Sequence, residues 1–443
     1  MSLLIWLYRL LWLPVFVASL PYYSIRMLRR GGYGKDFHHR LGFLPRLKKT
    51  AGERIWIQAV SVGEILAIGP LLKRLSKVKG LEIVLTTTTS TGYKLAREKY
   101  SSIVNTCCIF PIDAFPCTWL AWNNIRPTIA VLMESEVWPE HLRQAKARKV
   151  PVILINARMS DRTYFYAYYL RPFFCPLLHS LAAICTSDEH AHDRFEVLTG
   201  KKVPLKLTGN LKFDLDLKPS LTEEEKKELL HSIGFLKDYE SPWPEVILGS
   251  STWPGEEETL IQAFLRYKQE SRHARLLLIP RHAERREEIR NLLKQTDISW
   301  HLRSSAEPPA GSVDIYVADT TGELRIFTQL ATVAFIGKTL PPNIGGQTPI
   351  EAAAYGIPIL FGPNHNNFRL ICAQLISAGA ALPVPHYKAL PMIVTALLKH
   401  PERLTKMSEA AANWHQSNLG ATKRTLGVIS NFLPQKATKN TKI

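Results

Sequence analysis

Along the chain, short unbroken apolar runs alternate with stretches in which apolar residues recur every three or four positions. The first pattern reads as strands buried on both faces and the second as amphipathic helices. One series of strand-like runs falls at 55–60, 83–87, 129–133, 152–155 and 181–185, with helix-period segments at 65–75, 93–99, 140–148 and 189–198. A second series falls at 246–248, 275–279, 314–317, 333–336 and 357–361, with helices near 256–267, 283–293, 324–328 and 348–355. Short apolar strands separated by helices predict parallel sheets with helices on both faces.

The two series part near 214–244. There Lys218-Pro219-Ser220 leads into a charged helix at 222–232, followed by Ser241-Pro242-Trp243-Pro244. Thr222 with Glu225 three residues later is a capping-box pattern. The spacing thus predicts an α/β chain of two Rossmann-like domains, 36–217 and 218–400. A helical segment at 401–433 is expected to pack back across the halves, and 434–443 reads as a basic tail. Such a pair leaves a ligand-binding cleft between the carboxyl ends of its two sheets.

Residues 1–23 break the alternation, being almost wholly apolar with Arg9 as the one charge. With the flank up to residue 35 they predict a membrane anchor, either spanning the bilayer or lying in its interface. A cleaved signal peptide fits less well, because the start Met-Ser-Leu-Leu-Ile carries no basic residue.

Composition and charge sharpen this picture. A chain of 443 residues with 46% hydrophobic and 9% aromatic residues is a folded protein, which excludes large-scale disorder. Its formal net charge of +18 calls for an anionic partner: nucleic acid, an acidic membrane surface or a phosphorylated substrate. Within residues 1–50, Arg9, Arg26, Arg29, Arg30, Lys35, Arg40, Arg46, Lys48 and Lys49 face a single acid, Asp36. Basic residues gathered beside an apolar segment favour an anionic bilayer and disfavour nucleic acid. The six cysteines show no C-x-x-C pair, so they read as free thiols in a reducing compartment.

Candidate chemistry collects where strands give way to helices. Ser61-Val62-Gly63-Glu64 follows the first strand, Gly63 allowing a tight turn and Glu64 standing at a helix start. Its plain alternative role is to complement the helix dipole. Met133-Glu134-Ser135-Glu136-Val137-Trp138-Pro139 puts two carboxylates after a buried strand, with helix capping by Ser135 or Glu136 as the alternative. Gly209-Asn210-Leu211-Lys212-Phe213-Asp214 ends the first half, and Lys212 there suits a phosphate if it stands at a cleft edge, with an ordinary solvated surface lysine as the alternative. In the second half Pro280-Arg281-His282 offers a guanidinium for a phosphate, and Asp319-Thr320-Thr321-Gly322-Glu323-Leu324 is another strand–turn–helix junction. Gly345-Gly346-Gln347-Thr348-Pro349-Ile350-Glu351 opens a helix whose free N–H groups suit a phosphate. No P-loop or G-x-G-x-x-G fingerprint is present, which argues against an ATPase or a dehydrogenase.

Taken in order, these motifs together with Ile155-Asn156-Ala157-Arg158-Met159-Ser160 resemble the bacterial 3-deoxy-D-manno-octulosonic acid (Kdo) transferases of lipopolysaccharide synthesis, glycosyltransferase family 30. The likeness runs from the apolar N-terminus to about Leu433. It implies a GT-B fold, CMP-Kdo as donor, and lipid IVA, a phosphorylated lipid A precursor, as acceptor of one or more Kdo residues. It also implies a bacterial inner-membrane enzyme with cytoplasmic catalytic domains that needs no cofactor or metal. By position Glu64 matches the family's general base, and Glu134 and Lys212 its transition-state stabilisers. Pro280 and Arg281, Thr321, Gly322 and Glu323, and Thr348, Pro349, Ile350 and Glu351 match the segments that contact CMP. The pattern departs at Gln347 and Thr348, where the family commonly has His-Asn, and at Trp253, commonly His.

Such a transfer is an inverting displacement with an oxocarbenium-like transition state. Glu64 would take the acceptor proton, facing Lys212 and Arg281 across the cleft, while cations and the helix start near Thr348 meet the leaving phosphate. Asp214-Leu215-Asp216 has the spacing of a metal motif but reads as solvated. A GT-B transferase using a UDP-sugar, and a non-catalytic sugar-nucleotide or nucleic-acid binder, are the competing readings; a binder would need neither Glu64 nor Lys212.

Overall fold

Consecutive apolar residues in a strand need cover on both faces, and the computed structural model supplies it. It describes residues 2–29, 34–48, 52–217 and 219–433. The tail 434–443, and Arg30, Lys49 and Lys218 of the basic flank and linker, lie outside the described residues. The chain divides into two compact units, 1–216 with 418–443, and 217–417.

The first unit holds a seven-stranded parallel sheet: β1 Glu53–Gln58, β2 Leu81–Thr87, β3 Thr106–Ile109, β4 Ile129–Met133, β5 Val152–Ala157, β6 Ala183–Thr186 and β7 Leu205–Leu207. Its order is β3-β2-β1-β4-β5-β6-β7. Alternate residues divide between two cores. Ile55, Ile57, Ile129, Val131, Ile153 and Ile155 pack against Leu71, Leu72 and Ile429 on one face. Trp56, Ala130, Leu132, Val152 and Leu154 pack against Trp122, Leu142 and Leu198 on the other. Past their first residues, the side chains of the central strands are therefore withdrawn from water, the arrangement that stabilises an all-parallel sheet.

The second unit repeats the plan with β8 Glu245–Thr252, β9 Ala274–Pro280, β10 Trp300–Leu302, β11 Ile315–Val317, β12 Val333–Ile336, β13 Ile359–Phe361 and β14 Ala381–Pro383, in the order β10-β11-β9-β8-β12-β13-β14. Helix Glu223–Ser232 opens this unit with the capping box that its spacing predicts, Thr222 and Glu225 each satisfying the other's backbone N–H. The segment at 401–433 is not one helix. Pro401–Ser417 stays with the second unit, whereas Ala421–Ser430 belongs to the first. All six cysteines are free thiols.

The N-terminal segment folds as a helix, Ser2–Arg29, with Pro14 and Pro21 inside it. Among the described residues no helix is long and apolar enough to cross a membrane. The spanning form of the expected anchor therefore finds no support. The helix contains Arg9, Ser19 and three tyrosines, which dilute its apolar character. It is tied to the first unit through polar contacts. Tyr8 Oη donates to Asp113 Oδ2 at 2.8 Å, and Arg9 forks onto the fully buried Glu140 at 3.0 and 3.1 Å.

Candidate active site

In both sheets the first strand of the unit separates two windings of opposite direction, β1 beside β4 and β8 beside β12. Ligands of open parallel sheets bind outside the carboxyl ends at such a switch point. Glu64 follows β1 and Glu134 follows β4, so the two acids flank the switch point of the first unit.

Glu64 is buried in the six-residue helix Val62–Ala67, whose N-cap is Ser61 in extended conformation. The Val60 N–H donates to Glu64 Oε2 at 2.9 Å and the Ser61 hydroxyl to Oε1 at 2.9 Å. The Val60 peptide is fixed in turn, its carbonyl accepting from Thr87 Oγ1, Thr89 Oγ1 and the Thr89 N–H. So Glu64 serves the helix start and still presents a carboxylate with no ion-pair partner among the described residues. Burial, and then the charge of Glu134, raise its pKa above the ordinary carboxylate value; the Val60 and Ser61 hydrogen bonds and Lys212 oppose that rise. The tight turn expected at Gly63 is absent. Its φ is not positive, and a Cβ there would find Ser61 Oγ as its nearest neighbour at 3.9 Å.

Glu134 adopts the left-handed conformation, φ 57°, directly after β4. Its two oxygens take different cations, Oε1 from Lys212 Nζ at 3.2 Å and Oε2 from Arg158 Nε at 3.3 Å. Lys212 is positioned by Asn210, which N-caps the short 3-10 helix Leu211–Asp214, and by the buried Asn156, whose Oδ1 accepts from the Leu211 N–H at 2.9 Å. Asn156 is itself left-handed, φ 50°, a conformation Asn tolerates better than most residues. Glu136 accepts from Trp138 Nε1 at 2.7 Å. Neither Ser135 nor Glu136 caps the next helix: Trp138 is its N-cap, and its first N–H groups, those of Glu140 and His141, bond to the Asp113 carboxylate instead. The half-buried Asp214 is not solvated as expected. Its carboxylate accepts the Gly420 N–H at 2.7 Å and the Thr422 N–H, capping the last helix.

The structure thus brings Glu64, Glu134 and Lys212 together. Arg158 and Glu136 join them: the sequence offered Glu136 only as a possible helix cap and Arg158 only as part of the Ile155–Ser160 motif, so neither stood out as a site residue by spacing.

The remaining candidates lie in the second unit. Arg281 follows β9, its backbone N–H bonded to Thr252 and its side chain exposed, with no ion pair among the described residues. Gly322 turns with φ 93° after β11, and Glu323 takes Arg303 at 3.0 Å together with the Thr320 hydroxyl. Thr348 Oγ1 accepts the Ile350 N–H at 3.3 Å ahead of helix Ile350–Ala354, with Pro349 buried. The glycine N–H groups expected to meet a phosphate are taken: Gly345 bonds to Asn364, Gly346 to Lys338 and Gln347 to Gly337. Those glycines, both at positive φ, shape the loop. At the switch point the carboxylate of buried Glu256 gathers the backbone N–H groups of Trp253, Lys338, Thr339 and Leu340, locking the loops after β8 and β12. Lys338 Nζ lies 4.2 Å from the centre of the Trp253 ring. A cation and an aromatic face are thereby held beside Arg281's strand.

Comparison with known proteins adds an independent line. Residues 35–215 match the family model described as 3-Deoxy-D-manno-octulosonic-acid transferase (kdotransferase). A 3-deoxy-D-manno-octulosonic acid transferase of Bordetella pertussis is 30% identical, with 86% of this chain and 87% of that one covered. One from Haemophilus influenzae is 27% identical, with 95% and 96% covered. Among solved structures, the UDP-GlcNAc 2-epimerase of Neisseria meningitidis bound to UDP-GlcNAc superposes with a TM-score of 0.57 at 13% identity, covering 85% of this chain and 100% of that one. At that identity the likeness is one of fold, two Rossmann-like α/β units of the GT-B kind.

Proposed function

The chain belongs to the family of 3-deoxy-D-manno-octulosonic acid (Kdo) transferases, and from that premise we propose that it moves Kdo from CMP-Kdo to lipid IVA by an inverting displacement. The observation that carries this reading is the setting of Glu64: a buried carboxylate, aimed by Val60 and Ser61, with no ion-pair partner among the described residues. Such a group accepts a proton more readily than an ordinary surface carboxylate. As the acceptor oxygen bonds to the anomeric carbon, its proton passes to Glu64. The bond from that carbon to the CMP phosphate breaks, and CMP leaves with the electron pair. Lys212 and Arg158, sharing Glu134, hold positive charge next to the base, where the negative charge of the reacting groups builds. Arg281, with the segments 321–323 and 348–351, receives CMP.

The acceptor is a membrane lipid in this reading, and the protein sits at the cytoplasmic face of a bacterial inner membrane. Helix Ser2–Arg29 leaves Trp6 at 66% and Leu10 at 73% exposure while Tyr8 and Arg9 hold it to the body. Helix Asp161–Tyr169 likewise exposes Phe165, Tyr166, Tyr168 and Tyr169 beside Arg162. Exposed aromatic and basic side chains of this kind suit helices that lie in an anionic interface.

The test is transfer by Glu64→Ala. Kdo transfer is expected to fall by roughly two to four orders of magnitude, the scale of a lost general base, while CMP-Kdo still binds. Turnover at the wild-type rate in a folded Glu64→Ala protein would sink the assignment.

A further inference from the structure

Three carboxylates meet at the switch point of the first unit, but its two cations both serve one of them. Lys212 and Arg158 are engaged by Glu134. Glu64 and Glu136 have no ion pair among the described residues, and each is held by neutral donors: two for Glu64, and the Trp138 indole alone for Glu136. A buried carboxylate, Glu64, and a half-buried one, Glu136, within reach of each other's charge do not ionise independently. The one with fewer donors keeps its proton longer, and that is Glu136.

We propose that Glu136 is a positioning residue acting through Glu64: its ionisation strengthens Glu64 as the base that takes the acceptor proton. This rests on the reading of Glu64 as that base. The charged groups facing Glu136 are Glu64 from helix Val62–Ala67 and Glu134 from the turn after β4; facing Glu134 are Lys212 from the 3-10 helix and Arg158 after β5. Burial lifts the Glu136 carboxyl to about 7, Glu64 and Glu134 add to the rise, and the Trp138 hydrogen bond opposes it. Below that pH Glu136 is neutral and leaves Glu64 unaided. Above it a negative charge stands beside Glu64, so the proton arriving from the acceptor is held more strongly. That proton then leaves to bulk water, and the pair returns to its starting charge.

The experiment compares pH–rate profiles of the full chain with CMP-Kdo and lipid IVA for wild type, Glu136→Gln and Trp138→Phe. Glu136→Gln keeps an acceptor for the indole and cannot ionise. It is expected to match wild type near pH 6 and to fall behind by roughly three- to tenfold near pH 8, the size of a base-strength change of up to one pKa unit. Trp138→Phe removes the lowering hydrogen bond, so the upper inflection should move to higher pH. An inflection caused by substrate phosphates persists in all three proteins and cancels in the comparison. Superimposable profiles for Glu136→Gln and wild type, or a loss equal at every pH, overturn the proposal. Glu64→Gln run alongside separates the two ideas, because wild-type turnover in that variant defeats the base assignment, whereas a dead Glu64→Gln with an unchanged Glu136→Gln defeats only the role of Glu136.

Discussion

In the proposed reaction Glu64 does two jobs with one carboxylate. Its hydrogen bonds to Val60 and Ser61 close the start of a helix, and the same bonds fix the direction in which the proposed base points. Capping and the proposed catalytic role are therefore not rivals at this position. Glycines in the same motifs differ sharply in what they tolerate. Gly63 has an ordinary φ and open space where a Cβ would go, so Gly63→Ala should leave stability unchanged or raise it by up to ~1 kcal/mol. Gly209 has φ 85°, and a Cβ there would sit 2.8 Å from Arg424 Nη2, so Gly209→Ala should cost about 1–2 kcal/mol or more. Denaturant titration of both variants checks the contrast. Glu64, Glu134 and Lys212 were legible in the sequence through motif order. Their contacts were not, because Lys212 and Glu134 stand 78 residues apart and meet only once two left-handed turns, at Glu134 and Asn156, have re-aimed the chain.

At the scale of elements, what pattern reading missed has one physical cause. The ten central strands of the two sheets were all legible, with boundaries shifted by a few residues. The four that escaped, β3, β7, β10 and β14, are the four sheet edges. An edge strand has one neighbour and less cover, so it needs neither length nor unbroken apolarity; β7 is three residues with an exposed Lys206. The N-terminal helix was legible as an element but not in its attachment. Its Tyr8 reaches Asp113, a buried acid that also takes the N–H groups of Glu140 and His141 at the start of helix Pro139–Ala147. Burial raises the Asp113 carboxyl from 3.8 to about 6, the hydrogen bonds opposing the rise. Between those values the folded protein holds a proton that the unfolded chain has lost, so this group's contribution to stability is present below pH ~4 and declines as pH rises through 6. Asp113→Asn should flatten the fall in stability across that window, read as the melting temperature at pH 4.5 and at 7 relative to wild type. An identical slope in both proteins would contradict this.

For the molecule as a whole, the dominant quantity is a formal charge of +18 together with the exposed apolar residues of helix Ser2–Arg29. A basic surface near anionic lipid gains about 1 kcal/mol per Lys or Arg in contact, and salt screens that gain over about 10 Å at 0.1 M. Binding to vesicles containing anionic lipid should therefore weaken by roughly tenfold or more between about 0.05 and 0.5 M salt. Trp6→Ser with Leu10→Ser should lower affinity at every salt concentration while leaving that slope in place. Co-sedimentation measures both, and equal binding to neutral and anionic vesicles would defeat the electrostatic part.

Helix Ala421–Ser430, capped by Asp214, completes the first unit from the far end of the chain. Ala421, Leu426 and Ile429 are core residues on the same face of the sheet as Ile55 and Ile129. During synthesis, therefore, residues 1–216 leave the ribosome without the piece that closes their core. The whole second unit, 217–417, must be translated before that piece exists. At about 5–20 residues per second this is a delay of roughly 10–40 s. Through that interval the incomplete sheet face is a natural client for chaperones, and the unit begun first is the one finished last.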